Sequence, residues 1–438
     1  MLIQISKQLK SKVDEILENQ NSQIFKLSCK IYSSSNSEVD ITPMFVNSMK
    51  ITQAFTVNYM DDIELTFDIS PAEYITLVNN HQDLRVALKI VYVDPITYEN
   101  VYIQKPKVYQ FKAIIKNTED LAIKFHMHQL KAKDGDTEYE YQHATRLPIV
   151  LQLLDDIAYD LRHKHFHGIF SNTTLKSNIA YIASTFGIEQ ISLVEPDNTH
   201  TYNHINIPPS KDFSCIFDYL QNIYGVYFKG LEYYFTNSTL YIYPPYETDP
   251  KSDSTIHIYN VAEGQYAGLP GYHYTDNQDM HILSNSKVQT KNLVELGIED
   301  HGNSQLLIRN DTILDNYRSV NKNKISINDN NTISCDINTS KSVLKDTLVS
   351  KYNSPRNPYL YTSKMAKYNA KIILLGWVRS TFMDIKPGHR VIYHFDDDGK
   401  YKTKIGICEY AEYSIDKIAR FNEFVYASNA ALVLRVEP

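Results

Sequence analysis

The sequence predicts an α+β fold that is mainly β, in which two β-barrel modules flank an α/β unit. Three observations indicate this. Short β-prone runs punctuated by turns fill residues 23–128, helical periodicity is concentrated between residues 143 and 250, and β-prone runs return in residues 373–438. Short strands separated by turn residues at such spacing are typical of small barrels or sandwiches.

The predicted domain organisation has four parts. A chain of 438 residues is long enough for two to four domains, each with its own core. We expect an N-terminal helix and first β-barrel module in residues 1–142, the α/β unit in 143–250, a loop-rich insertion or linker in 251–350, and a second β-barrel module in 351–438.

The first module is predicted from one helical pattern and several strand patterns. Apolar residues at roughly 3.6-residue spacing in residues 1–20 indicate an amphipathic helix. In residues 63–69 apolar and polar side chains alternate strictly, which is typical of a strand with one buried face. Further strand candidates between residues 23 and 128, separated by turns such as Asp94-Pro95, favour a barrel or sandwich.

The α/β unit is predicted from three apolar stripes with helical spacing, in residues 149–161, 175–186 and 213–224. The expected caps are Asn172 or Thr173 and Gly187 for the second helix, and Ser210 and Gly225 for the third. Strand-prone residues 231–243 follow, with a turn at residues 236–238, which predicts a hairpin packed on these helices.

The second module is predicted from turns between β-prone runs near the C-terminus. Pro387-Gly388 precedes one run, and Asp396-Asp397-Asp398-Gly399 separates it from the next, as expected for barrel connections. Residues 246–350 are dominated by Asn, Asp, Ser and Thr, which predicts loops with short strands.

Charge and cysteine usage exclude several classes of protein. The net charge of −7 argues against a general nucleic-acid-binding surface, although an acidic wall lets DNA slide past without sticking. The four cysteines lie far apart without a CxxC pair, so we expect reduced thiols and neither a disulfide framework nor a zinc site. Neither a secretory signal nor a membrane-spanning segment is expected, because no long apolar run occurs.

Clustered histidines are the strongest metal candidates. His163, His165 and His167 alternate along the chain, so on a strand their imidazoles could converge on one ion. The alternative is a helix end, where His and Lys favourably meet the helix dipole, and we prefer it. His126 and His128 share the strand spacing but have no obvious third ligand.

Two glycine-containing segments resemble ligand loops without meeting their requirements. Position 12 counted from Asp396 is Ile407, whereas an EF-hand needs Glu there, so residues 396–399 are predicted to form a hairpin turn. The Gly-rich segment 264–271 has no following Lys-Ser/Thr and no βαβ context, which argues against phosphate binding.

Catalytic signatures are missing from the sequence. The carboxylate pairs Asp61-Asp62 and Asp155-Asp156 are adjacent in the chain, and nothing places them across a cleft. No motif for an activated serine, cysteine or metalloprotease is found. The sequence therefore predicts no enzyme, no cofactor, and no catalytic, cofactor-binding or metal-binding residues.

The 34 tyrosines are an unusual feature of the composition, and several are concentrated in residues 219–246. They could form a partner surface or a platform on which carbohydrates stack. The alternative, which we favour, is that they fill the core and solvent faces of a hairpin.

The order of modules resembles the central baseplate hub proteins of contractile-tailed bacteriophages, which are similar to the base of type VI secretion spikes. Three segments carry the likeness: the helix and hairpin of residues 210–243, the Pro-Gly strand entry of residues 385–391, and the pair of segments 406–410 and 424–434. The likeness covers about two-thirds of the chain and leaves out residues 246–350.

The resemblance implies a homotrimer in the virion tail baseplate, in which two tube-like barrels per chain make a pseudo-sixfold ring. Its implied partners are the tail tube protein, the central spike protein and other baseplate proteins, with DNA crossing the lumen without sequence-specific binding. The family has no catalytic residues to carry over. The alternative function is a carbohydrate-binding or glycan-cleaving tail adhesin, suggested by the tyrosine and β content.

Overall fold

A computed structural model describes much of the chain, and all structural statements below concern the parts it describes. These are residues 6–19, 24–33, 38–41, 46–55, 58–70, 73–75, 77, 83–94, 97, 99–100, 106–116, 146–227, 230–244, 255–261, 272–276, 279–284, 289–291, 303–306, 325–327, 333–336, 371–379, 385–397, 399–420 and 423–436. The predicted class, α+β and mainly β, is confirmed.

The described residues include four helices of six or more residues and many strands. The helices are α1 Lys7–Asn19, α2 Asp156–Leu161, α3 Leu175–Phe186 and α4 Phe213–Tyr224. The strands of the first half are β1 Ile24–Ser33, β2 Glu38–Ile41, β3 Val46–Ala54, β4 Asp62–Ile69, β5 Leu84–Tyr92, β6 Lys107–Ile115, β7 Leu147–Leu154, β8 His165–Thr174, β9 Gln190–Leu193, β10 Thr201–Asp212, β11 Glu232–Thr236 and β12 Thr239–Tyr243. Those of the second half are β13 Ile256–Asn260, β14 Tyr272–Asp276, β15 Asp279–Ser284, β16 Gln289–Lys291, β17 Asn303–Leu306, β18 Ile325–Ile327, β19 Ile333–Asp336, β20 Lys371–Arg379, β21 Arg390–Asp397, β22 Lys400–Arg420 and β23 Glu423–Val436.

Strands from both ends of the chain pair into one closed ring. Within the described residues the antiparallel order is β22-β3-β4-β7-β6-β5-β1-β23, and β23 pairs back onto β22. Burial alternates along β4 as its sequence predicts, with the apolar side chains of Ile63, Leu65, Phe67 and Ile69 inside. The N-terminal strands therefore need the C-terminal hairpin to complete their sheet.

A second group of strands extends the same sheet at the other end of that hairpin. The first half of β22 pairs with β21, which continues through the parallel strands β13 and β15 to β14. The last half of β23 pairs with β20, which pairs with β16. Because β22 and β23 belong to both groups, the hairpin ties them together, and the four-part division of the chain stays a prediction.

Hydrophobic cores follow this arrangement. One core contains ring residues such as Phe25 and Leu65 together with Ile258 and Val391 of the second group, so both groups share buried surface. A separate core fills the α/β unit between α3, α4 and its strands. Helix α1 buries its apolar stripe against β13 and β15 in a third, smaller core.

The α/β unit contains the two long helices predicted for it. Helix α3 ends at Gly187 and α4 at Gly225, both in the left-handed conformation that glycine adopts without strain, as predicted. The N-terminal caps differ, because α3 is capped by the hydroxyl of Thr174 and the cap position of α4 is Asp212. The unit also contains a β8–β10 ribbon and a β9-β12-β11 sheet.

The prediction of a helix that begins at Ile149 is wrong. Residues 147–154 form β7, which lies between β4 and β6, and only Asp156–Leu161 is helical. A short apolar run fits either a buried strand or a helix. Here the run forms a strand, because it pairs with β4 on one side and with β6 on the other. The Asp155 side chain accepts a hydrogen bond from the Ile157 amide and starts the helix there.

Candidate functional site

A cavity with a volume of about 400 Å³ lies where the ring meets the α/β unit. Ring strands supply apolar walls such as Ile51 and Ile63, and the hairpin β11–β12 closes it from the other side with Phe235. The two units are in direct contact here. Met60 and Phe235 form an isolated β-bridge, and the Phe55 and Tyr234 rings pack edge to face with their centroids 4.9 Å apart. The cavity therefore joins two parts of the fold.

A carboxylate, Asp61, lies at the centre of this junction and lines the cavity. Its Oδ1 accepts hydrogen bonds from Gln53 Nε2 at 2.9 Å and from the Tyr234 hydroxyl at 3.0 Å, and its Oδ2 accepts one from the Thr236 hydroxyl at 2.6 Å. Burial raises the pKa of Asp61, those three hydrogen bonds oppose the rise, and the charge of Asp155 adds to it. The site is thus a polar network at a junction that also has apolar walls.

Gln53 leaves one polar atom of this network without a partner. Gln53 is 6% exposed and lines the cavity, and its Oε1 has no hydrogen-bond partner among the described residues. The bond from Nε2 to the Asp61 carboxylate fixes the orientation of the amide, because the reversed amide would set two oxygens against each other. A buried acceptor without a partner costs free energy unless a donor reaches it.

A second polar cluster lies next to α1. The imidazoles of His257, His281 and His394 stack, with ring centroids 4.9 Å apart for the first two and 5.3 Å apart for His257 and His394. His257 Nδ1 and His394 Nε2 are 3.0 Å apart, and His394 Nδ1 contacts the Tyr401 hydroxyl at 2.5 Å. Burial, followed by the charges of the other two histidines, lowers the pKa of His394 to about 3, so its imidazole is neutral near pH 7.

The histidines singled out from the sequence do not form a metal site in the described part of the chain. His163 follows α2, with its amide bonded to the Asp160 carbonyl, which agrees with the preferred helix-end interpretation. His165 and His167 are exposed on β8. No group of three or more His, Cys, Asp or Glu side chains among the described residues is arranged to hold a metal ion. His126 and His128, like segment 264–271, lie outside the described residues.

The remaining predicted features have structural roles. Gly399 has a φ of 77° in the connection between β21 and β22, which confirms the hairpin turn. In the second carboxylate pair Asp155 caps α2 and Asp156 forms an ion pair with Arg85 at 3.3 Å. Cys215 and Cys408 carry free thiols in the part of the chain that the structure describes.

Four of the eight tyrosines in residues 219–246 are interior. Tyr227, Tyr233, Tyr234 and Tyr243 are buried, and Tyr227 donates a hydrogen bond to the Val194 carbonyl. These rings fill the hairpin and the junction, as the favoured interpretation predicts.

Sequence reasoning missed how the two polar clusters are assembled. Asp61 was noticed only as half of an adjacent pair, although its partners Gln53 and Thr236 are 8 and 175 residues away along the chain. The histidine stack depends on β13 lying parallel to both β15 and β21. No local pattern contains that pairing.

Comparisons with known proteins identify one family model that matches most of the chain. Residues 10–372 match the family model described as Bacteriophage PBS1 gene 109 protein. The curated proteins contain no match. In the described part of the chain, no helix is both long and apolar enough to cross a bilayer.

Several solved structures align with most of this chain at TM-scores below 0.5. A tail protein from Neisseria meningitidis MC58 aligns with a TM-score of 0.43 and 10% identity over 93% of this chain and 96% of its own. The 43 kDa tail protein of prophage MuSo2 from Shewanella oneidensis aligns with a TM-score of 0.43 and 9% identity over 94% and 98%. The E. coli c3393 protein, described as a type VI secretion component, aligns with a TM-score of 0.37 and 8% identity over 90% and 74%.

Proposed function

The chain belongs to the family described as Bacteriophage PBS1 gene 109 protein, and from that premise we propose that it is the structural hub of a phage tail baseplate. The resemblance to phage proteins expected from the sequence is confirmed by this membership. In the proposed role the protein is a trimeric adaptor that joins the sixfold tail tube to the threefold central spike. It acts by assembly and not by catalysis.

The observation that carries the proposal is the hairpin shared by the two β groups. Strand β22 has 21 residues and β23 has 14, and they pair along the length of β23. At about 3.3 Å per residue, β22 spans roughly 70 Å. Its two halves complete different groups of strands, so force applied to one group reaches the other through continuous backbone hydrogen bonds.

The proposed threefold symmetry is compatible with two β groups in each chain. Three chains would contribute six groups, so a closed trimer could face a sixfold tube on one side and a threefold spike on the other. The proposed partners are therefore two further copies of the chain, the tube protein, the spike protein and other baseplate proteins, in the virion tail. The net charge of −7 suits a lumen that DNA crosses without binding.

The test is the mass of the full chain in solution and its place in the particle. Light scattering and native mass spectrometry should give three times the 50.6 kDa chain mass, alone or once tube and spike proteins are added. Antibody labelling of purified virions should mark the baseplate end of the tail, with tailless heads as the control. A chain that stays monomeric with both partners present and is missing from tails would overturn the proposal.

A further inference from the structure

We propose that the cavity at the junction of ring and α/β unit is a binding site for a small organic ammonium ion. Its occupant would carry a protonated amine at one end and an apolar body at the other. This inference is independent of the proposed baseplate role, because it depends only on the chemistry of the cavity walls.

Hydrogen-bond acceptors define the polar end of the site. An ionised carboxylate accepts about four hydrogen bonds, and Asp61 already accepts three, which leaves capacity on Oδ2. Gln53 Oε1 is buried with no partner. Asp155 also lines the cavity, where its Oδ2 accepts a bond from the Ser238 hydroxyl at 3.2 Å. An ammonium group has three N–H donors, which matches one donor for each of these acceptors.

The charge of the lining selects a cation. Two carboxylates, Asp61 and Asp155, face the cavity, and its described lining contains no Lys, Arg or His. Burial and the neighbouring Asp155 both raise the pKa of Asp61, which is the response of a carboxylate that lacks a cationic partner. A bound ammonium ion would supply that partner and reverse the rise.

The size and walls of the cavity favour an organic cation over a metal ion. About 400 Å³ is far more than one ion needs, and much of the lining is apolar, including Met49, Ile63, Phe111 and Leu153. Divalent hard cations require six or more converging oxygens, and three oxygens of a partly satisfied network do not provide them. An amine with an aromatic or aliphatic body uses both the acceptors and the walls.

Entry is possible from the surface beside β6. Val108, which lines the cavity, is 60% exposed, and the turn residues Asn237 and Ser238 lie at the same site. Since the lining comes from both the ring and the α/β unit, an occupant would bridge the two units. Binding should therefore raise the stability of the junction as well as fill the cavity.

The experiment is isothermal titration calorimetry on the full chain with three probes. Benzylammonium chloride tests the proposed chemistry, benzyl alcohol is the neutral control of similar shape, and calcium chloride tests the metal alternative. We expect benzylammonium to bind, and benzyl alcohol to bind at least about tenfold more weakly, because hydrogen bonds to charged groups contribute about 1.5–3 kcal/mol. Saturable binding of benzyl alcohol with equal affinity, or of Ca²⁺ alone, would overturn the proposal.

Matched variants locate the site. Asp61→Asn should weaken benzylammonium binding at least about tenfold, whereas Asp62→Asn should leave it within about twofold. Asp62 is the right control because it accepts a bond from Gln152 and does not line the cavity. If Asp61→Asn does not fold, Val108→Trp at the exposed mouth should block binding instead. Unchanged affinity in both Asp61→Asn and Val108→Trp would refute the assignment.

Discussion

Replacing Gly406 by alanine should strongly destabilise the shared hairpin. Gly406 lies on β22 opposite Val436 of β23 and opposite Val391 of β21, so strands flank it on both sides. A Cβ atom added there would lie 2.0 Å from the Arg435 carbonyl oxygen and 2.8 Å from the Val436 Cα. Both atoms belong to the backbone, so no side-chain rotation can relieve the contact.

The size of the effect follows from these distances. A Cβ needs more than 3 Å from an oxygen, so β22 and β23 must separate by about 1 Å, which breaks or stretches one or two ladder hydrogen bonds. Each contributes about 0.5–1.5 kcal/mol, and overpacking adds about 1–3 kcal/mol. Alanine also lowers the conformational entropy of the unfolded chain, which stabilises the folded protein by only about 0.4–1 kcal/mol. We expect a net loss of about 2–4 kcal/mol in the free energy of unfolding.

The assay is urea denaturation followed by far-UV circular dichroism, combined with amide hydrogen exchange. Gly168→Ala is the matched control, because Gly168 also lies in a strand, β8, and a Cβ there has no neighbour within 4 Å. The control should shift stability by about 0.5 kcal/mol at most. Exchange should accelerate in β22 and β23 only for Gly406→Ala. Equal, small effects of both substitutions would refute the strand spacing at Gly406 and with it the shared hairpin.

Three further predictions concern buried ionisable groups. Burial beside His257 lowers the pKa of His394 to about 3, so the unfolded chain protonates first and stability should be lost as the pH falls from about 6.5 towards 3. Urea titrations at several pH values should show that His394→Phe reduces this pH-dependent loss in the free energy of unfolding. An unchanged pH dependence would contradict a neutral His394 in the folded protein. Burial raises the pKa of Glu232 to about 8, so stability should fall as the pH rises from about 4.5 to 8, and Glu232→Gln should remove this decline in the same titrations. Glu409 holds Arg435 through two hydrogen bonds of 2.6 and 2.5 Å, so Glu409→Gln should cost roughly 2 kcal/mol in urea denaturation, and a cost near zero would contradict that pairing.

Local patterns predicted the elements whose formation depends on near neighbours. The apolar spacing that predicts α1, the alternation in β4 and the glycines that end α3 and α4 are all confirmed, because each depends on residues a few positions apart. The turn at Gly399 belongs with them, since its positive φ is a property of one residue.

Elements that depend on distant partners were predicted less well. The apolar run of β7 has no local feature that separates a buried strand from a helix, and its neighbours β4 and β6 decided the outcome. The candidate site shows the same limit. Asp61 was visible in the sequence, but Gln53 and Thr236 became its partners only when β3 and β11 came together.

What the sequence determined by itself was a mainly β chain with a central helical unit and a likeness to phage proteins. Periodicity and turn chemistry act over a few residues and can be seen in one dimension. Long-range pairing closes the N-terminal ring, because β22 pairs with β3 and β23 pairs with β1, and the acidic cavity forms beside it. Those contacts join residues hundreds of positions apart, and their free energy depends on surfaces that exist only after the sheet has assembled.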